Sequence, residues 1–147
     1  MTDTSPLTRK TWMATLAKAS PARLATLFPK APPHRILRQP EIGALMVRGR
    51  MGGTGAAFNL GEMTVTRCAL RLGSGQVGHA YVAGRSHAKA RIAALCDALL
   101  QDDDQAAMVR GAVLAPLAEA AAQARETLAA KAAATRVEFF TLARERG

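Results

Sequence analysis

The stretch of this chain best equipped for chemistry runs Arg48-Gly49-Arg50-Met51-Gly52-Gly53-Thr54-Gly55 and continues to Asn59-Leu60-Gly61. Glycines let backbone N–H groups converge on an anion with no Cβ in the way, and two arginines add bidentate donors. The chemistry on offer is phosphate binding. It is not a Walker A loop, because no Lys-Ser/Thr follows the last glycine and a strand, not a helix, comes next. The competing reading is a plain connection between two strands, and spacing alone favours it, since most glycine-rich loops are turns. Glu62 is the one acid beside the loop, and its ordinary role is an ion pair with a neighbouring arginine.

Other constellations are weaker. Gly73-Ser74-Gly75-Gln76-Val77-Gly78 matches the dinucleotide pattern G-x-G-x-x-G, with Asp97 near the expected acidic spacing. A strand follows it, however, so no helix N-terminus faces a pyrophosphate, and Asp97 falls inside an amphipathic helix. The segment reads as a hairpin. His34, His79 and His87 with Cys68 and Cys96 lack close ligand spacing, so no metal site is expected, and the thiols read as core residues. Before residue 100 the only acids are Asp3, Glu41, Glu62 and Asp97, a poor supply for paired-carboxylate catalysis.

The elements that must position these groups follow a helix, sheet, helix order. Thr8 to Ala19 forms a short helix with Trp12, Leu16 and Ala19 on one stripe. Ser20-Pro21 starts a second, with Leu24, Leu27 and Phe28 as its apolar side before Pro29. His34–Arg38, Ile42–Arg50, Glu62–Leu72 and Val77–Ala83 are strand-length and separated by Gly- or Pro-containing breaks, with Gly73–Gln76 as a hairpin turn. Short links imply a mostly antiparallel sheet of roughly four strands. Ser86 caps a helix bearing Ile92, Leu95, Cys96, Leu99 and Leu100 at helical spacing. Asp102-Asp103-Asp104 suits the N-terminus of the next helix, Pro116 breaks or restarts it, and an Ala-rich helical stretch runs toward Arg146. The expected fold is α+β: this sheet flanked by two short N-terminal helices and a helical C-terminal third.

In that sheet Arg48 and Arg50 share one face, and Arg67 and Arg71 share one face of theirs; register decides whether the two faces coincide. Twenty Lys+Arg against 11 Asp+Glu gives +9, and residues 1–50 alone carry nine basic and two acidic groups. Such a field attracts an anion, whether nucleic acid, polyphosphate or an acidic partner. Single-stranded nucleic acid would need stacking rings, and the sheet offers only Phe58 and Tyr81. The 147 residues suit one domain, with no run apolar enough to span a bilayer, no visible secretory signal, and only two cysteines, which reads as cytoplasmic.

The run from Arg48 to Arg67, Arg-Gly-Arg-Met-Gly-Gly-Thr-Gly-Ala-Ala-Phe-Asn-Leu-Gly-Glu-Met-Thr-Val-Thr-Arg, resembles the PhnG family, a component of the bacterial carbon–phosphorus lyase complex. The likeness extends to Arg9-Lys-Thr-Trp-Met13, Gly78-His-Ala-Tyr-Val-Ala-Gly-Arg85 and Arg136-Val-Glu-Phe-Phe-Thr141, and covers nearly the whole chain as one PhnG-like domain, 1–147. It departs at Ala57, where many members carry proline, which bears on loop stiffness.

The resemblance implies a protein that supports, with subunits H, I and L, transfer of the ribose 5-triphosphate of ATP to methylphosphonate with release of adenine. It also implies a core assembly with subunits H, I and J, in which J cleaves the C–P bond with an iron–sulfur cluster and S-adenosylmethionine. Expelling adenine calls for protonation of the leaving group and stabilisation of an oxocarbenium-like centre, tasks for well-placed acids. With few acids here, the chain is expected to be scaffold: no catalytic residue, no metal and no cofactor of its own, with ATP and methylphosphonate as substrates of the complex. Arg48, Arg50, Gly52, Gly53, Thr54, Gly55, Glu62 and Arg67 are then an anion-binding or subunit-docking set, docking being preferred. The expected partners are subunits H, I, J and L in a hetero-oligomer, with no membrane and no nucleic acid. The alternative is a stand-alone basic nucleic-acid- or nucleotide-binding module, favoured by charge but lacking a helix-turn-helix or zinc pattern.

Overall fold

A computed structural model of the chain describes residues 6–50 and 55–145. Its elements run α1 (Pro6–Lys18), α2 (Pro21–Leu27), β1 (His34–Arg50), β2 (Ala57–Leu72), β3 (Val77–Ala83), α3 (His87–Leu100), α4 (Asp103–Val109), one π-helical turn (Arg110–Leu114) and α5 (Ala115–Glu145). Three helix starts are fixed by side chains that accept an otherwise orphaned N–H. Ser20 Oγ accepts from the Arg23 amide at 3.2 Å, Ser86 Oγ from Lys89 at 3.1 Å, and Asp102 Oδ1 from Asp104 at 3.0 Å.

The sheet is antiparallel, in the order β1-β2-β3. All four expected strand segments are extended, but His34–Arg38 and Ile42–Arg50 run together as one irregular strand, β1. Register slips between Ile36 and Arg38 and between Arg38 and Glu41 carry it past Pro40. Proline cannot donate to a ladder, and an edge strand with a bulge is where it is tolerated. A second difference concerns β2, which starts at Ala57 rather than Glu62 because pairing continues to Arg50↔Ala57. Gly61 pairs with Val47 while Asn59 pairs with Arg48, so Leu60 is the extra residue of a bulge; the φ of 153° at Gly61 is one that favours glycine.

β3 joins β2 through a tight turn in which the Gly75 amide reaches Leu72 O at 2.9 Å, with Gly75 at φ 105°. It ends at Gly84, whose amide donates to Thr64 O at 2.9 Å and whose carbonyl accepts from Thr66 Oγ1 at 2.8 Å. Pairing of β2 with β3 therefore spans only Val65 to Arg71, and the β1–β2 ribbon extends beyond it as a two-stranded arm.

Alternation sorts the two faces. Thr66, Cys68, Leu70 and Leu72 of β2, with Ala80 and Val82 of β3, are buried on the inner face, against α3. Gly78 shows how closely: a Cβ there would stand 1.9 Å from Ala94 O and 2.8 Å from Ala98 Cβ, so only glycine over alanine lets helix and sheet meet. Trp12, Leu16, Leu24 and Phe28 belong to the same core, as do Val109, Val113 and Leu117. The last three, four apart, anchor the C-terminal helices on one stripe. At Pro116 the helix restarts and does not end: α5 begins at Ala115, directly after the π turn. The proline ring would crowd the carbonyl four residues back, and the π turn widens the backbone there, with the Ala115 amide reaching Arg110 O, so the rod continues. No helix among the described residues is long and apolar enough to cross a membrane.

Candidate functional site

The residues singled out from sequence fall at two separate places. Arg48 and Arg50 lie at the far end of the β1–β2 arm, opposite Asn59 and Ala57, and both are exposed. Gly55 leads into β2, whereas Gly52, Gly53 and Thr54 lie outside the described residues. Arg67 pairs with Glu41, about 23 Å back along the ribbon from Arg48 and about 30 Å from Arg50 at ~3.3 Å per residue. Paired residues share a face, which puts Arg67 with Glu41, Gly43, Leu45 and Val47, and the even-numbered Arg48 and Arg50 on the other. The two arginine sets therefore do not coincide. The ion pair anticipated for Glu62 is made by Glu41 instead: its Oε2 lies 3.4 Å from Arg67 Nε and 3.9 Å from Arg38 Nη1. Glu62 stands across from Met46.

What Arg67 does join is a cationic outer face. Register places Arg35 opposite Arg71, Arg38 and His79 on either side of Ala69, and Tyr81 beside Arg67. Arg38 was not legible as part of this set because the bulges around Leu37 and Pro40 change the parity of β1 at that residue, and Arg35 was not because its pairing with Arg71 is a matter of register. The signal available was only their charge.

The arm has a different character. Ile42, Leu45, Met46, Val47, Leu60 and Met63 are each at least 37% exposed, on a ribbon that shows apolar side chains on both faces. A two-stranded ribbon in water is marginal without cover, and apolar surface of this extent marks a contact site.

Behind the sheet, Asp97 forms a polar centre that sequence reading assigned only to a helix. It is fully buried. Its Oδ1 accepts from Trp12 Nε1 at 2.8 Å and Arg9 Nε at 3.2 Å; its Oδ2 accepts from Arg9 Nη2 and from the His79 amide, both at 2.9 Å. One carboxylate thereby ties α1, β3 and α3 together and satisfies a donor on the open edge of β3. The hydrogen bonding of Arg9 to Asp97, with the carboxylate charge adding to it, raises the Arg9 pKa above its usual value against the opposing effect of burial. Lys89, also buried, donates from Nζ to Ala17 O at 2.7 Å and Ala83 O at 3.1 Å, and burial lowers its pKa. Cys96 is pushed up to about 12 by burial, with the Asp97 charge adding to it. Burial also raises Cys68, against an opposing pull from Arg91. Thiols held protonated this way are neither nucleophiles nor ready metal ligands, and no group of three or more metal-ligating side chains occurs among the described residues. A groove of about 650 Å³ lies between α1, α2 and α5, with Lys10, Lys18, Arg23 and Arg125 on its walls and alanines between them.

These features define a small α+β protein with one buried carboxylate and one buried lysine in its core, cationic groups on open sheet and groove surfaces, and an outermost ribbon that is apolar on both sides. The family model for the phosphonate metabolism protein PhnG matches residues 7–145. A protein of Rhizobium meliloti (strain 1021), the alpha-D-ribose 1-methylphosphonate 5-triphosphate synthase subunit PhnG, is 41% identical over 142 residues, covering 92% of this chain and 88% of its own. The chain belongs to the PhnG family of phosphonate metabolism proteins.

Proposed function

We propose that this chain is the PhnG component of an alpha-D-ribose 1-methylphosphonate 5-triphosphate synthase, acting with subunits H, I and L to transfer the ribose 5-triphosphate of ATP to methylphosphonate with loss of adenine. Its own part is assembly, not bond-making. The name of the 41% identical relative supports the reaction. The observation that carries the assembly role is the arm, whose apolar residues on both faces call for cover by another polypeptide. The disposition of acids supports it too: Asp97 is buried and fully engaged, Glu41 is held by arginines, and Glu62 stands on the exposed arm. None of these three is placed in a cleft where a leaving group could be protonated.

In this reading the arm is the docking element, with Arg48 and Arg50 near its tip, and subunits H, I and J are the neighbours in the core assembly. The experiment is co-expression of tagged chain with subunits H, I, J and L. The unaltered chain should co-elute with them, and the assembly should release adenine from ATP and methylphosphonate while the lone chain should not. An Ile42→Ser, Met46→Ser variant should keep its circular dichroism and lose at least ten-fold in co-elution. Adenine release by the lone chain would overturn the assembly role; undiminished co-elution of the variant would overturn the docking role of the arm.

A further inference from the structure

The arm explains the apolar surface but leaves the cationic outer face unexplained. Along that face the rows are Arg35–Arg71–Val77, then Arg38–Ala69–His79, then Glu41–Arg67–Tyr81. Ala69 is therefore a small central position with Arg35, Arg38, Arg67 and Arg71 around it and His79 and Tyr81 along one side. Arg35 and Arg71 are directly paired across the ladder, an arrangement in which like charges repel and which local folding does not favour. Glu41 is the one acid in these rows, and Arg38 and Arg67 already share it.

We propose that this face is a binding site for a polyphosphate group, with the four guanidinium forks closing over Ala69, and that in the working assembly its ligand is the triphosphate ester handled by the synthase. The identity of that ester rests on the synthase reading; the polyphosphate site itself does not. Guanidinium groups suit phosphate because their planar forks match its oxygens bidentately. The extent of the patch argues for a short polyphosphate over nucleic acid. Arg67 and Arg71 stand about 13 Å apart at ~3.3 Å per residue, within the shared reach of side chains between them. Beyond Glu41 the same face continues as Gly43, Leu45 and Val47, so the positive field ends where a duplex would need it to continue. The hydrogen bond from the His79 amide to Asp97 ties the β3 side of the patch to the buried core, so this side is rigid before any ligand arrives.

Calorimetric titration of the full-length chain with inorganic tripolyphosphate tests the proposal. One saturable site per chain is expected. An Arg38→Gln, Arg71→Gln variant, altered only at exposed positions and checked for an unchanged Tm, should bind at least ten-fold more weakly. Glu41→Gln, which removes the competing carboxylate, should bind about three-fold more tightly. A Lys10→Gln, Lys18→Gln variant, altered in the groove beside α1, should bind as the parent does. The proposal is overturned by absence of saturation, by equal loss in the groove variant, by citrate competing as well as tripolyphosphate, or by duplex DNA displacing tripolyphosphate at matched phosphate concentration. Because the titration needs no partner, its failure removes the site whatever the assembly does. Tripolyphosphate binding by a chain that fails to co-elute with the other subunits would keep the site and remove the synthase reading.

Discussion

Asp97 carries more of this structure than any other polar residue. A buried carboxylate is costly unless it is paired and its lone pairs are satisfied, and here Arg9, Trp12 and the His79 amide do both. Replacing Asp97 with Ala would leave the Trp12 indole N–H and the His79 amide without their acceptor. Each orphaned buried donor costs about 1–3 kcal/mol, so a loss of about 3 kcal/mol is expected. Urea unfolding followed through Trp12, the only tryptophan, measures it; a midpoint equivalent to less than ~1 kcal/mol of loss would show that the network is dispensable. Lys89 plays a similar part at the other end of α1, where its ammonium takes up a carbonyl from the last turn.

At the scale of elements, two contacts set the shape. The first is α3 on β3, where Gly78 faces Ala94 and Ala98. Gly78→Ala must push the helix off the strand, and overpacking of this kind costs about 3 kcal/mol. Gly43→Ala is the comparison: nothing lies within 4 Å of its added Cβ, so a change within about 0.5 kcal/mol is expected. Thermal unfolding of the two variants separates them, and equal Tm values would contradict the close approach. The second contact is one that the chain does not make for itself. β3 stops at Ala83, and the ribbon beyond Thr64 gains neither a third strand nor a helix among the described residues. Residues Ala118 to Arg136 of α5 are likewise almost wholly exposed, a helix sustained by its alanine-rich composition.

For the whole molecule, the thiol at position 96 links the core to pH. Its folded pKa of about 12 lies above the ordinary value of 9.0, so the folded state holds a proton that the unfolded chain has lost between these limits. Stability from this group is fully present below about pH 9 and falls as pH rises toward 12, by up to ~1.4 kcal/mol per pH unit. Cys96→Ala should flatten that alkaline decline in urea-unfolding midpoints; an unchanged slope would refute it. Lys89 acts in the opposite sense, since its lowered pKa makes stability rise with pH up to its ordinary range near 10.5. The order of residues along the chain determined a good deal unaided. Helix starts at Ser20, Ser86 and Asp102, the turn at Gly73–Gln76 and the inward face of α3 all depend on neighbours within a turn or a strand, so local spacing reveals them. The run from Arg48 shows the family by its likeness to known members and not by spacing. What only the tertiary structure decided depends on register and on distant pairs. The register Glu41↔Arg67 leaves Arg48 and Arg50 on the face opposite Arg67, while Arg35↔Arg71 and the bulges near Leu37 and Pro40, which turn Arg38 over, bring Arg35 and Arg38 onto the face of Arg67. The partners of Asp97 lie up to 88 residues away in sequence. No period along a chain encodes which face a bulge exposes or which distant donor a buried carboxylate meets; closing the fold does.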